Sequence, residues 1–195
     1  VNPVGKDLLL DEIQNGKAEF DKLVDSSDLL LEEQKKSFQE SVRKKAAEAE
    51  DAIQKLDVNA ATAEQAEVIQ EQAVTEEDKF FKFIASSTVD FTLASKLADL
   101  EANPNLSEAE KKAVRGEIEQ VVETAKKAIE GADSQEVYDR AKETAIAHLA
   151  KIHPIGKEQF LKEIQEEKTA TIEAVEKSQS LSAEEKAAAK KKIED

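Results

Sequence analysis

Cysteine, methionine and tryptophan are missing from all 195 residues, tyrosine occurs once, and proline and glycine number 3 and 5. Without cysteine there are no disulfides and no thiol chemistry, and either redox compartment suits the chain. Aromatic residues make up only 4% of the composition, which argues against a sheet, since strands want aromatic and β-branched side chains. A basic excess is also missing. Against 28 Lys and Arg stand 43 Asp and Glu, a formal net charge of −15, so nucleic acid and anionic lipid are repelled rather than attracted. No apolar run approaches the ~18–20 residues that span a bilayer, and the start carries no charged-then-apolar export signal. Val1 is therefore expected to begin an excised fragment or a processed chain, with any signal or anchor lying outside it.

What is abundant is Ala, Glu and Lys, with 36% charged residues, a balance that favours long, thin helices. Residues 153–168, HPIGKEQFLKEIQEEK, repeat residues 2–17, NPVGKDLLLDEIQNGK, at an offset of 151. They share Pro, Gly, Lys, Leu, Glu, Ile, Gln and Lys, and exchange Val4 for Ile155, Asp7 for Glu158 and Leu9 for Phe160. Inside that period lies a shorter echo. LSEAEKKAVRGEIE from Leu106 and LSAEEKAAAKKKIE from Leu181 agree at seven of fourteen positions, an offset of 75. Self-similarity at fixed spacing marks an array of stacked supersecondary units.

Helical spacing appears first in Leu9, Ile13, Phe20, Leu23 and Val24, fading at Asp25-Ser26-Ser27, after which Asp28 can cap the next helix. Phe38, Val42, Ala46, Ala49, Ile53 and Leu56 form a heptad-like seam of roughly seven turns, broken at Asp57 to Asn59. A weaker third segment runs from about Ala60 through Ile69 and Ala73 to Phe80-Phe81-Lys82-Phe83-Ile84. Ser86-Ser87-Thr88 is read as opening a new unit, whose first helix carries Phe91, Leu93, Leu97 and Leu100 and ends at Asn103-Pro104-Asn105. Ser107 with Glu110, and Ser182 with Glu185, are capping boxes. Val114, Ile118, Val121, Val122, Ala125 and Ile129 form the next stripe, stopping at Gly131. Asp133 and Glu136 start a helix with Val137, Ala141, Ala145, Leu149 and Ile152 on one face, closed by His153-Pro154. Phe160, Ile164, Ile172 and Val175 begin the third unit.

The expected fold is all-α: tandem antiparallel three-helix bundles arranged end to end as an elongated, monomeric rod. The expected units are 1–84, 85–152 and a partial unit 153–195. Helices of ~20 residues are ~30 Å long, so the fragment is expected to exceed ~80 Å.

Chemistry has few candidates. Paired carboxylates occur by chance on any acidic helix face, and acid–base catalysis needs a pocket to shift them. His148 and His153 are five apart across a helix end, a spacing that places no shared metal between them. No serine sits in a glycine-rich elbow, and Gly5 and Gly156 shape turns rather than cradle phosphate. No catalytic residue, metal site or cofactor is therefore expected. Phe80, Phe81, Phe83 and Phe91 are four of seven phenylalanines in one short stretch. They form either a hydrophobic plug between units or an exposed aromatic patch, the candidate partner-binding surface. Tyr138 reads as a half-buried core residue.

This pattern, with PIGK at a unit entry, LSAEEKAAAK at a capped helix and proline at the unit's close, resembles the helical repeats of giant Gram-positive cell-wall proteins. The long period of two unequal halves resembles the streptococcal surface repeat (SSURE). That resemblance implies export, anchoring at the bacterial surface, and binding of host fibronectin, with plasminogen or other plasma proteins as further ligands. It supplies no binding residues. The rival reading is a passive stalk that projects a separate adhesive domain; a cytosolic helical scaffold and an enzyme rank below both.

Overall fold

The computed structural model describes residues 5–56, 62–154 and 156–194. The expected entry turn at Pro3, the break at Asp57 to Asn59, the start near Ala60, and Ile155 and Asp195 lie outside the described residues. Described residues form seven helices and no strand: α1 (Lys6–Asp25), α2 (Glu32–Lys55), α3 (Ala63–Ala102), α4 (Glu108–Glu130), α5 (Gln135–Lys151), α6 (Lys157–Lys177) and α7 (Ala183–Glu194). Two compact units result. The first comprises Val1–Ala102 and Ala113–His153, the second Asn103–Lys112 and Pro154–Asp195.

In the first unit, α1, α2 and the N-terminal half of α3 pack pairwise into a three-helix bundle. The seam of α2 buries Val42, Ala46, Ala49 and Ile53, as its heptad spacing requires, with Phe38 and Leu56 half-buried at its ends. Facing it, α1 presents Ile13, Gly16, Phe20 and Val24. Each fully buried aliphatic side chain of this kind contributes about 1.5–3 kcal/mol. Gly16 is set by a close approach: a Cβ there would meet Phe81 Cε1 at 2.8 Å and Phe80 Cε1 at 3.4 Å. Lys6 Nζ donates to the carbonyls of Gln54 (2.7 Å) and Leu56 (3.3 Å), tying the start of α1 to the end of α2, where helix carbonyls lack partners.

Asp28 is not the cap of α2. Leu30 is drawn into the core, which pushes the helix start to Glu32, and Gln34 Oε1 accepts the Leu31 N–H at 3.0 Å instead. Leucine has no acceptor, so only this half of a capping box forms.

The break expected at Ser86-Ser87-Thr88 is also absent, because α3 runs through it for 40 residues. The reason is local and global at once. Thr88 Oγ1 donates to the Ile84 carbonyl and Thr92 Oγ1 to the Thr88 carbonyl, both at 2.8 Å, so these hydroxyls are satisfied inside the helix. From Phe80 to Leu100, moreover, only Asp99 is exposed, the signature of a helix covered on all sides. The expected boundary at 84/85 therefore falls within a helix that serves the α1–α2 pair first and α4 and α5 afterwards.

Lysines of α3 tie down those later helices. Lys82 Nζ donates to Ala132 O (2.6 Å) just past the end of α4, and Lys96 Nζ to Ile152 O (2.9 Å) at the end of α5. Lys126 pairs with Asp90 at 2.8 Å and Arg115 with Glu101, fastening α4 to α3. Buried residues of α4 are Ile118, Val122, Ala125 and Ile129; those of α5 are Tyr138, Ala145 and Leu149. Tyr138, expected half-buried, is fully enclosed, and Val137, expected inside, faces out.

The second unit holds the α6–α7 hairpin with the segment Asn103–Lys112. Both capping boxes form with the same geometry. Glu110 accepts the Ser107 N–H at 2.8 Å and Ser107 Oγ accepts the Glu110 N–H at 3.3 Å; Glu185 and Ser182 repeat the two distances. Glu110 also accepts the Lys157 N–H at 3.0 Å, so one carboxylate serves the first turns of α4 and α6. These donors hold the Glu110 carboxyl below its ordinary value, the Ser107 bonds contributing most. Gly156 is needed by proximity, since a Cβ would lie 1.6 Å from the Asn105 carbonyl oxygen. Its counterpart Gly5 has open space but φ 98°, and is needed for conformation instead.

Candidate interaction surface

The four phenylalanines fall in one region but do not form an exposed patch. Phe80 is 1% exposed and Phe91 is buried with it in the core that contains Ile13, Phe20 and Ala73. Phe81 and Phe83 are half-buried against that core. Phe91 meets Phe38 edge-on at 5.8 Å, and Phe80 meets Phe81 at 5.3 Å, spacings at which aromatic pairs add to their area burial. The exposed-patch reading is thereby corrected for Phe80 and Phe91. Close approach at Gly16 takes up the Phe80 ring, and packing on Phe38 of α2 takes up Phe91.

An accessible, concave apolar surface lies between α4 and α5. There Val121, Ala125 and Ala128 face Val137, Ala141 and Ala145 across an open trough of about 630 Å³. It exists because alanine side chains are too short to fill the space between two helices that are each held by α3. Glu117 lies on its α4 rim, and Arg140, paired with Glu136 at 2.6 Å, on its α5 rim. Sequence periodicity placed Val121, Val137 and Ala141 on buried stripes; a rotation of each helix by part of a turn puts them on the trough instead.

Beside the α1–α3 contact sits an unusual group of acids. One carboxyl oxygen of Glu77 is buried without a partner, and the residue hydrogen-bonds Glu12 across the helix pair. Burial above all, then the hydrogen bond and charge of Glu12, pushes the Glu77 carboxyl up to about 8. In the next helical position lies Asp78, and burial followed by the Asp78 charge raises the Tyr138 phenol. Glu77 protonated in the fold and ionised in the unfolded chain means that the folded state binds the extra proton between the ordinary carboxyl range and about 8. Stability therefore falls as pH rises through that window. We expect melting temperature to drop from pH 5 to pH 8.5 and Glu77→Gln to flatten the profile. The variant should gain about 1–2 kcal/mol at the alkaline end, a figure discounted for the solvent that reaches the group. Thermal melts across that range check it, and an unchanged slope in the variant sinks the assignment.

His148 lies on the trough rim in the last turn of α5, and His153 is exposed beyond it. Among the described residues no group of three or more His, Asp or Glu is placed to hold a metal ion, and no helix is long and apolar enough to cross a membrane.

Residues 82–157, which run from the middle of α3 through α4 and α5, match the family described as Domain of Unknown Function (DUF1542), a domain found in Gram-positive surface proteins. The likeness to helical repeats of Gram-positive surface proteins thus holds at the level of class, and this match does not reach the streptococcal repeat in particular. No curated protein and no solved structure matches the chain.

Proposed function

We propose that the chain is a repeat segment of a cell-surface adhesin, displayed outside a Gram-positive cell, that engages a host extracellular-matrix protein. Fibronectin is the ligand that the resemblance to the streptococcal surface repeat implies, with plasminogen and other plasma proteins as further ligands. One observation carries the reading to a place on the molecule: the open trough between α4 and α5 lies within residues 82–157, the segment that matches a domain of surface proteins. A concave apolar strip with charged rims suits a partner helix or an aromatic anchor. The test is surface plasmon resonance over immobilised fibronectin, plasminogen and albumin, with a salt titration. Saturable binding to fibronectin and not to albumin is expected. Val137→Glu, at a position already 42% exposed, should weaken it at least tenfold without changing the melt. No binding at high micromolar concentration removes the fibronectin claim.

Burial of Phe80 and Phe91 favours a second reading, a passive spacer that projects an adhesive domain, because the strongest aromatic anchors are spent on the core. Binding that persists unchanged in Val137→Glu counts against the trough; absence of binding to every surface leaves the spacer.

A further inference from the structure

Within the first unit, α1 and α5 each pack on α3 but, among the described residues, not on one another. A cavity of about 330 Å³ opens between them. Its floor is one face of α3, formed by Phe81, Ile84, Ala85 and Thr88, whose spacing of three and four residues makes them neighbours on a helix surface. The Thr88 hydroxyl is already donated to the Ile84 carbonyl at 2.8 Å, so the floor offers apolar surface and no free side-chain donor. The α1 wall is the edge of that helix's buried stripe. Phe20 is enclosed there, Leu23 is 38% exposed, and Glu19 stands exposed at the lip. The α5 wall is polar: Asp139 Oδ1 accepts from Lys142 Nζ at 2.6 Å, and both residues are half-buried.

The charges decide what such a cleft takes. Lys142 is the one cation among its lining residues, and Asp139 neutralises it. Glu19 makes no hydrogen bond or ion pair with any described residue, which leaves an uncompensated carboxylate above an apolar floor. With a formal net charge of −15, the whole chain also draws cations and repels anions. We propose that this cleft is an arginine-anchor site: it takes an arginine side chain of a partner protein, the methylene stem lying along Phe20, Leu23 and Ile84 and the guanidinium reaching the Glu19 carboxylate. Arginine suits this mixture better than lysine, because its planar head is weakly hydrated, stacks on rings such as Phe81 and meets a carboxylate through two N–H donors. An acidic side chain would have to take Lys142 from Asp139 in the field of Glu19, and a purely apolar one would strip water from Glu19 without replacing it. The volume sits at the small end of the about 300–1,000 Å³ usual for ligand sites, which fits one long side chain and a neighbour rather than a whole helix. The cleft shares no residue with the α4–α5 trough, and the proposal stands or falls independently of the adhesin reading.

The test titrates the full 15N-labelled chain with the blocked peptide Ala-Leu-Arg-Leu-Ala, followed residue by residue by NMR, beside versions carrying citrulline or glutamate in place of the arginine. Saturable shifts at residues 19–23, 84–88 and 139–142 are expected. Citrulline, which keeps the shape and loses the charge, should bind at least tenfold more weakly. Glu19→Gln in the chain should weaken the arginine peptide about threefold, the modest effect of an exposed partner. Lys142→Ala frees Asp139 and should strengthen it about threefold, a change that a site for an anion would show in reverse; circular dichroism verifies that both variants keep their helix content. The proposal is overturned by no shifts at millimolar peptide, by equal affinity of the citrulline or glutamate version, by shifts centred on the α4–α5 trough, or by weaker binding in Lys142→Ala.

Discussion

Ser87→Pro should lower the melting temperature of this protein by about 6–12 °C. Ser87 lies at the centre of α3 and is 8% exposed. A proline there deletes the hydrogen bond to the carbonyl four residues back and drives its ring against that carbonyl, a cost of about 3 kcal/mol or more. In a unit of this size each kcal/mol moves the midpoint by roughly 2–4 °C. If Ser86-Ser87-Thr88 were a joint between bundles, as composition suggests, the substitution would be nearly neutral. Differential scanning calorimetry distinguishes the two, and a shift below 2 °C would contradict the continuous helix.

Phe80→Ala should be about as damaging, by about 3–5 kcal/mol, the usual cost of emptying a phenylalanine site that cannot collapse. The site has little freedom to collapse because the ring is wedged beside Gly16, where the two helices are at close quarters. Urea denaturation reads the loss as a lower midpoint at unchanged slope. The folded fraction should retain whatever partner binding the parent chain has. A variant that melts normally but no longer binds would return Phe80 to the surface and overturn its place in the core.

Much of this fold is legible in the sequence. The four-three spacing of Val42, Ala46, Ala49 and Ile53 can only be a helix with one buried stripe, and the Ser107–Glu110 and Ser182–Glu185 boxes mark two helix starts to the residue. Other features fail to show because their signals are ambiguous. Serine and threonine in a row usually end a helix, and only their bonds to preceding carbonyls make them acceptable in α3. The trough was hidden because alanine at helical spacing looks the same whether it abuts a neighbour or faces a gap. Glu77 is one acid among many, and nothing in its vicinity says that Glu12 will lie opposite. Gly16 did carry a signal: a glycine inside an apolar helical pattern commonly marks close approach, and reading it would have put the phenylalanines inside.

The uninterrupted α3 also fixes an angular phase. It is one cylinder of about 60 Å against which α1 and α2 are seated at one end and α5 is seated further along. Adding a single residue between Phe80 and Leu100 would turn everything after it by about 100°, swinging Lys96 away from Ile152 and Asp90 away from Lys126. Seven added residues bring the faces back to within about 20°. The two helix pairs of this unit are thus geared together. Length change within α3 is tolerated in near-integral turns.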